Sequence, residues 1–248
     1  MLKYILPLIP KHTVYVEPFF GGGAVFFAKE PTKTEIINDY NGMVINFYHQ
    51  VSTNFDELKQ LIEATPYSRE AYKQAMVIYN APYLFKPVYK AWAFWIGTIQ
   101  GFSNSIGTWR SSQPRAKEAQ LNLNKKLLIN NGLKQRLDLV QMENKDAIEV
   151  IKTKDRPETF FYVDPPYVGS AQGHYGGYNQ EHFNNLLETL SKIEGKFLLS
   201  SYPNEMLDKY RKKCGWHNAD VDMALSASTQ ANRRKTEALT ANYALKGI

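Results

Sequence analysis

The stretch Val14-Tyr15-Val16-Glu17-Pro18-Phe19-Phe20-Gly21-Gly22-Gly23-Ala24-Val25-Phe26-Phe27 constrains the fold most. An apolar run of strand type passes into three glycines and then into a second apolar segment, which reads as strand, turn and helix. Glycine carries no Cβ, so the backbone can take positive φ and approach a ligand closely. The N-terminus of the next helix offers N–H groups and the positive end of a dipole, suited to a carboxylate or phosphate. A second strand-like run, Thr34-Glu35-Ile36-Ile37-Asn38, ends at Asp39. An acidic residue at that point can accept both hydroxyls of a ribose. No Gly-Lys-Ser/Thr follows the glycines, so the turn is not a Walker A loop. Glycine turn and Asp39 together predict a nucleoside cofactor.

A second feature lies far downstream. Thr159-Phe160-Phe161-Tyr162-Val163 reads as a buried strand and runs into Asp164-Pro165-Pro166-Tyr167. Neither proline has an N–H to donate, so strand pairing stops there. A carboxylate and an aromatic ring are left at the sheet edge with rigid φ angles between them. Such a group can hold a flat heteroaromatic amine and accept hydrogen bonds from its NH2.

The two motifs in this order resemble the Dam-type (D12 class, α-group) DNA adenine-N6 methyltransferases. The resemblance extends to Ile37-Asn38-Asp39-Tyr40-Asn41, to residues 196–202 and to Arg233-Arg234-Lys235-Thr236-Glu237-Ala238-Leu239. It covers most of the chain outside residues 52–130. It implies that Pro18, Phe19, Phe20, Gly21, Gly22 and Gly23 bind S-adenosylmethionine (AdoMet). It implies likewise that Asp164, Pro165, Pro166 and Tyr167 hold the target adenine. Double-stranded DNA is the expected partner, and the expected setting is a prokaryotic or phage-encoded protein of the cytoplasm, in restriction–modification or as an orphan enzyme. No oligomeric state is implied. The family's aromatic-x-Gly-Gly-Lys segment has no match here, since Met1–Pro10 looks like the end of the family's first helix. The chain is therefore expected to be truncated, begun at an internal Met or divergent, with weakened cofactor binding. Two alternatives stay open: a catalytically silent DNA-binding homologue and a cytosine-N4 methyltransferase.

The expected fold class is α/β. A Rossmann-like AdoMet-dependent methyltransferase sheet, mainly parallel with a C-terminal antiparallel hairpin, carries a helical target-recognition insertion. Residues 1–51 and 131–248 form the expected catalytic domain and 52–130 the insertion, with helices over 55–64, 69–80, 86–104 and 117–130. Further strands are expected over 136–142, 196–202, 217–225 and 236–245, and helices over 147–152 and 180–193. A chain of 248 residues is long enough for this plan. No apolar run approaches the ~18 residues of a membrane helix. Cys214 is the sole cysteine, which excludes an intrachain disulfide, and no Cys/His spacing suggests zinc or another metal. The net charge of +6 and the 16 Tyr suit a polyanion with stackable bases.

The N6 lone pair of adenine is delocalised into the ring. Asp164 and the Pro165 carbonyl can accept its two hydrogens and free the lone pair for displacement at the methyl group. Asp164 reads as an orienter or a general base, Tyr167 as a stacking platform for a base flipped out of the duplex. Asp146 is a candidate contact to the cofactor's adenine or, equally, a helix cap. Glu17 is a candidate neighbour of the cofactor. Candidate DNA contacts are Trp109, Arg110 and Arg115 in one loop, Tyr175 and Tyr178 in the loop after the catalytic motif, and Arg233, Arg234 and Lys235 in a polar loop before the last strand.

Overall fold

The computed structural model describes residues 1–102, 106–110, 117–167, 177–224 and 234–245. The first elements are α1 (Leu2–Ile5), β1 (Val14–Glu17), α2 (Ala24–Ala28) and β2 (Thr34–Asn38). A helical run follows: α3 (Gly42–Thr53), α4 (Phe55–Ala64), α5 (Arg69–Asn80), α6 (Pro87–Gln100), α7 (Glu118–Lys126) and α8 (Asn131–Leu137). Strands and helices then alternate through β3 (Val140–Glu143), α9 (Ala147–Lys154), β4 (Thr159–Val163), α10 (Gln180–Leu190), β5 (Lys196–Ser201) and α11 (Glu205–Cys214). The last are β6 (His217–Ala224) and β7 (Arg234–Ala241).

The seven strands form one sheet in the order β3-β2-β1-β4-β5-β7-β6. Strand β1 pairs in parallel with β2 and β4, and β4 with β5. Strand β7 runs antiparallel to β5 and β6. The sheet is thus the mainly parallel α/β sheet with a C-terminal antiparallel hairpin. Strand β4 is buried at all five positions, as a central parallel strand covered on both faces must be.

The chain divides into two compact units. The first is Met1–Tyr40, Lys145–Ser170 and Gly177–Ile248. Its core joins Val16, Phe161 and Val163 of the sheet to Phe183 and Leu187 of α10 and Leu207 of α11. Lys29 is buried there in an ion pair with Glu35. Its Nζ also donates to Glu30 O at 2.9 Å and Thr32 Oγ1 at 3.0 Å. Pairing and full use of the ammonium donors make that burial tolerable.

The second unit is mainly Asn41–Asn144. Helix α6 packs against α3, α4 and α5. At Gly97 an added Cβ would lie 2.7 Å from Met76 Cε, so glycine there lets α5 and α6 close up. Lys126 Nζ donates to Glu63 O at 2.9 Å and Thr65 O at 2.5 Å, placing a cation at the C-terminus of α4.

Some elements differ from expectation. Residues 131–137 are helix α8, begun by Asn130, whose Oδ1 accepts from Leu133 N at 3.1 Å, so the strand starts only at Val140. Helix α6 stops at Gln100, where the chain turns back with Phe102 N donating to Thr108 O at 2.7 Å. Helix α11 has no counterpart in the expected elements. Strand β7 begins at Arg234, so Arg234 and Lys235 lie in a strand paired with β6 and not in a loop.

Candidate active site

The glycine turn follows β1. Gly21 and Gly23 take φ of 48° and 61°, in the left-handed region that favours glycine. A Cβ at Gly23 would collide with the Phe20 ring and lie 2.9 Å from Phe27 Cε2, whereas one at Gly22 would meet nothing within 4 Å. The turn therefore needs glycine at Gly23 for packing and has an open face at Gly22. Its amides are partly used within the turn, since Gly23 N donates to Phe20 O at 2.8 Å and Gly21 N to Asp39 Oδ2 at 2.8 Å. Asp39 is fully buried and shapes the turn, a duty its strand-end position did not announce. Helix α2 has only five residues, so the dipole expected behind the turn is short.

Asn38, also fully buried, links three segments. Its Nδ2 donates to Pro18 O at 2.9 Å and Lys145 O at 3.1 Å, and its Oδ1 accepts from Lys145 N at 2.9 Å. This places the entrance of α9 beside the turn. Asp146 is exposed and caps α9, its Oδ1 accepting from Ile148 N at 2.9 Å and Glu149 N at 3.3 Å. Tyr178 lies with these residues. Its ring meets Phe19 edge-on at 6.3 Å and stacks on His182 at 5.6 Å. The Tyr178 hydroxyl is buried without a hydrogen-bond partner among the described residues, and burial with the charge of Asp146 pushes its ionisation upward.

The second edge is the end of β4. Asp164 is exposed, with Tyr162 OH 3.4 Å from Oδ2 and Tyr167 OH 3.3 Å from Oδ1. The Tyr167 ring stacks on Tyr202 at 4.2 Å, and its hydroxyl donates to buried Glu237 of β7. Burial, followed by the Asp164 charge, pushes the phenols of Tyr162 and Tyr167 upward. Glu17, at the end of β1, accepts from Tyr15 OH at 2.6 Å. Burial pushes the Glu17 carboxyl up to about 8; the Tyr15 hydrogen bond opposes the rise and the Asp164 charge adds to it. A cavity of about 670 Å³ opens beside Pro165, Pro166 and Tyr167 and is also lined by Phe183, Tyr202 and Lys209.

Residues 1–240 match the family model of the D12 class N6 adenine-specific DNA methyltransferases. The chain belongs to that family. It is also 23% identical over 274 residues to the Type II methyltransferase M1.LlaDCHI of Lactococcus lactis subsp. cremoris, over 98% of this chain and 90% of that protein. Among solved structures it resembles the precorrin-6y C5,15-methyltransferase of Geobacter metallireducens GS-15, with a TM-score of 0.38 and 10% identity over 95% of this chain and 82% of that one. The rRNA methyltransferase aviRa of Streptomyces viridochromogenes gives a TM-score of 0.33 and 10% identity over 97% and 81% of the two chains.

A D12 class enzyme transfers the methyl group of AdoMet to N6 of adenine in DNA, which decides between the two amines left open by the motif. The residues on the glycine side suit that cofactor. They supply the open face at Gly22, the aromatic rings of Phe19 and Tyr178, and an orphaned buried hydroxyl. Tyr178, expected as a DNA contact, packs edge-on against Phe19 of the glycine turn.

Of the other expected DNA contacts, Trp109 and Arg110 have described surroundings. Trp109 packs at 5.6 Å from Tyr67 and under the Arg69 guanidinium at 4.7 Å. Arg110 donates from Nη2 to Ile99 O at 3.2 Å and to Gly101 O at 3.1 Å, bracing the end of α6. Arg115, Tyr175 and Arg233 lie outside the described residues, as do the side chains of Arg234 and Lys235. Among the described residues no cluster of three or more His, Cys, Asp or Glu could hold a metal, and no helix is long and apolar enough to cross a membrane.

Sequence reasoning missed Asn38, Tyr202 and the role of Glu237. Only the run Glu237-Ala238-Leu239 within the resembling segment hinted at the last.

Proposed function

We propose that the two strand ends divide the work of one methyl transfer to a flipped adenine in double-stranded DNA. The observation that carries this reading is Asp164, presented at the end of β4 between two tyrosine hydroxyls, with the Tyr167 ring held next to it. AdoMet supplies an electrophilic methyl on a sulfonium. Gly21–Gly23, Pro18, Phe19 and Phe20 would form its bed, Asp39 would serve the ribose from behind the turn, and Asp146 and Tyr178 would serve the adenine.

Asp164 accepts one N6 hydrogen of the target and the Pro165 carbonyl accepts the other. The nitrogen lone pair is thereby released for in-line displacement, and the rate comes from positioning and fixed electrostatics. After transfer the nitrogen loses one proton, with Asp164 the nearest acceptor. Tyr167 stacks on the base. A base in a duplex cannot reach this edge, so the nucleotide is flipped, and the cavity beside Tyr167 offers the room.

Residues 52–130 read the DNA, and Arg233, Arg234 and Lys235 contact phosphates. The Type II relative favours a modification role in a restriction–modification pair. The test is mass spectrometry of nucleosides from DNA incubated with the protein and AdoMet. N6-methyladenine is expected; N4-methylcytosine or unmodified DNA would overturn the reading.

A further inference from the structure

Glu237 lies on β7 opposite Val221 of β6, two residues from Leu239, which pairs with Ser200 of β5. Its side chain is 5% exposed. One oxygen, Oε1, accepts both from Ser200 Oγ at 2.8 Å and from the Tyr167 hydroxyl. A carboxylate is acceptor-only, so both hydroxyls must turn their protons toward it. A phenol has one proton. Once that proton is committed to Glu237, Tyr167 cannot also donate it to Asp164 Oδ1, although that oxygen is 3.3 Å away.

We infer that Glu237 is a positioning residue for methyl transfer, holding the Tyr167 ring by its hydroxyl and diverting the hydroxyl proton away from Asp164. The inference rests on the roles proposed above for Asp164 and Tyr167. Its chemical content is specific. The target amine approaches Asp164 with N–H donors, so every donor already aimed at Asp164 Oδ1 competes with the substrate. Glu237 removes one such competitor. It also fixes the ring from the hydroxyl end while Tyr202 stacks on its face at 4.2 Å, so the platform is set before the base arrives. Ser200 completes the arrangement by holding Oε1 in place.

The test is a double-mutant cycle of Tyr167→Phe with Glu237→Ala, repeated with Glu237→Gln. Methyl transfer to long unmethylated DNA of mixed sequence is measured alongside AdoMet affinity and the unfolding midpoint. In the wild-type background Glu237→Ala should lower kcat about tenfold or more, with AdoMet Kd changed less than about twofold. Glu237→Gln, which keeps the size and one acceptor, should recover part of the loss. With Phe at position 167 there is no hydroxyl to hold, and either change should then cost less than about twofold. Equal losses in both backgrounds would show a merely structural role and overturn the inference. So would a loss in AdoMet affinity that accounts for the whole effect. Should Glu237→Ala not fold, the Glu237→Gln cycle carries the same two outcomes. A wild-type protein that binds AdoMet but leaves adenine unmethylated overturns the underlying reading instead.

Discussion

Asn38 and the backbone of Lys145, 107 residues apart, hold each other by a reciprocal pair of hydrogen bonds at 2.9 and 3.1 Å. The same side chain donates to Pro18 O, so one buried amide sets the end of β2, the start of the glycine turn and the approach to Asp146. Asn38→Ala should leave these backbone groups unpaired and cost about 2–4 kcal/mol. AdoMet affinity should fall with stability. Denaturant unfolding and calorimetry check this, and an unchanged midpoint would remove the linkage.

Gly22 and Gly23 should respond in opposite ways. Gly23→Ala forces a Cβ into the Phe20 ring at a φ of 61° and should destabilise by about 1–3 kcal/mol. Gly22→Ala meets no protein atom within 4 Å, so stability should shift by less than about 0.5 kcal/mol. If AdoMet lies on that open face, the same change should nevertheless weaken its binding. Intact affinity in Gly22→Ala would move the cofactor elsewhere.

Glu17 makes stability depend on pH. Its folded pKa is raised to about 8, above the ~4.3 of an unfolded glutamate. The native protein therefore holds a proton that the unfolded chain gives up. The stability this confers is full below about pH 4 and lost as pH rises toward 8. Glu17→Gln keeps the shape without titrating. Between pH 5 and 8 it should gain on the wild type by a few kcal/mol, since each tenfold difference in proton affinity between the folded and unfolded chain is worth roughly 1.4 kcal/mol. Urea unfolding at several pH values reads this directly; parallel curves for the two proteins would contradict it.

Asp164→Ala should abolish methyl transfer while AdoMet still binds, because Asp164 acts on the target amine. Tyr167→Ala should remove stacking worth on the order of 1–3 kcal/mol. Product nucleosides counted by mass spectrometry give both numbers. Strong residual turnover in Asp164→Ala would refute the mechanism.

The cations before and at the start of β7 give a salt-dependent prediction. Replacing Arg233, Arg234 and Lys235 with Ala should flatten the log–log salt slope of DNA binding by about one for every phosphate that is no longer neutralised. Affinity should drop alike for cognate and scrambled duplexes, since phosphates carry no base information. A loss confined to the cognate duplex would mean that this segment reads bases.

The sequence by itself determined the strands and turns that hold the candidate site residues. Strand β4 was legible because four apolar or aromatic residues, Phe160 to Val163, are followed after Asp164 by Pro165-Pro166, which cannot continue a ladder. Helices α4 and α5 were legible to the residue because helical patterning is a local signal. The α/β class followed from strands alternating with helices. Helix α8, by contrast, is short, helix α11 is strongly polar, and their asparagine caps are common in loops too. Only the tertiary structure decided that Glu237 would meet Tyr167 across 70 residues and that Asn38 would clasp Lys145. It also turned Tyr178 toward Phe19 and occupied Arg110 with the carbonyls of Ile99 and Gly101. The reason is physical. Periodicity and caps act between near neighbours in the chain, whereas hydrogen-bond partners for a buried side chain are fixed by which strands become neighbours in the sheet.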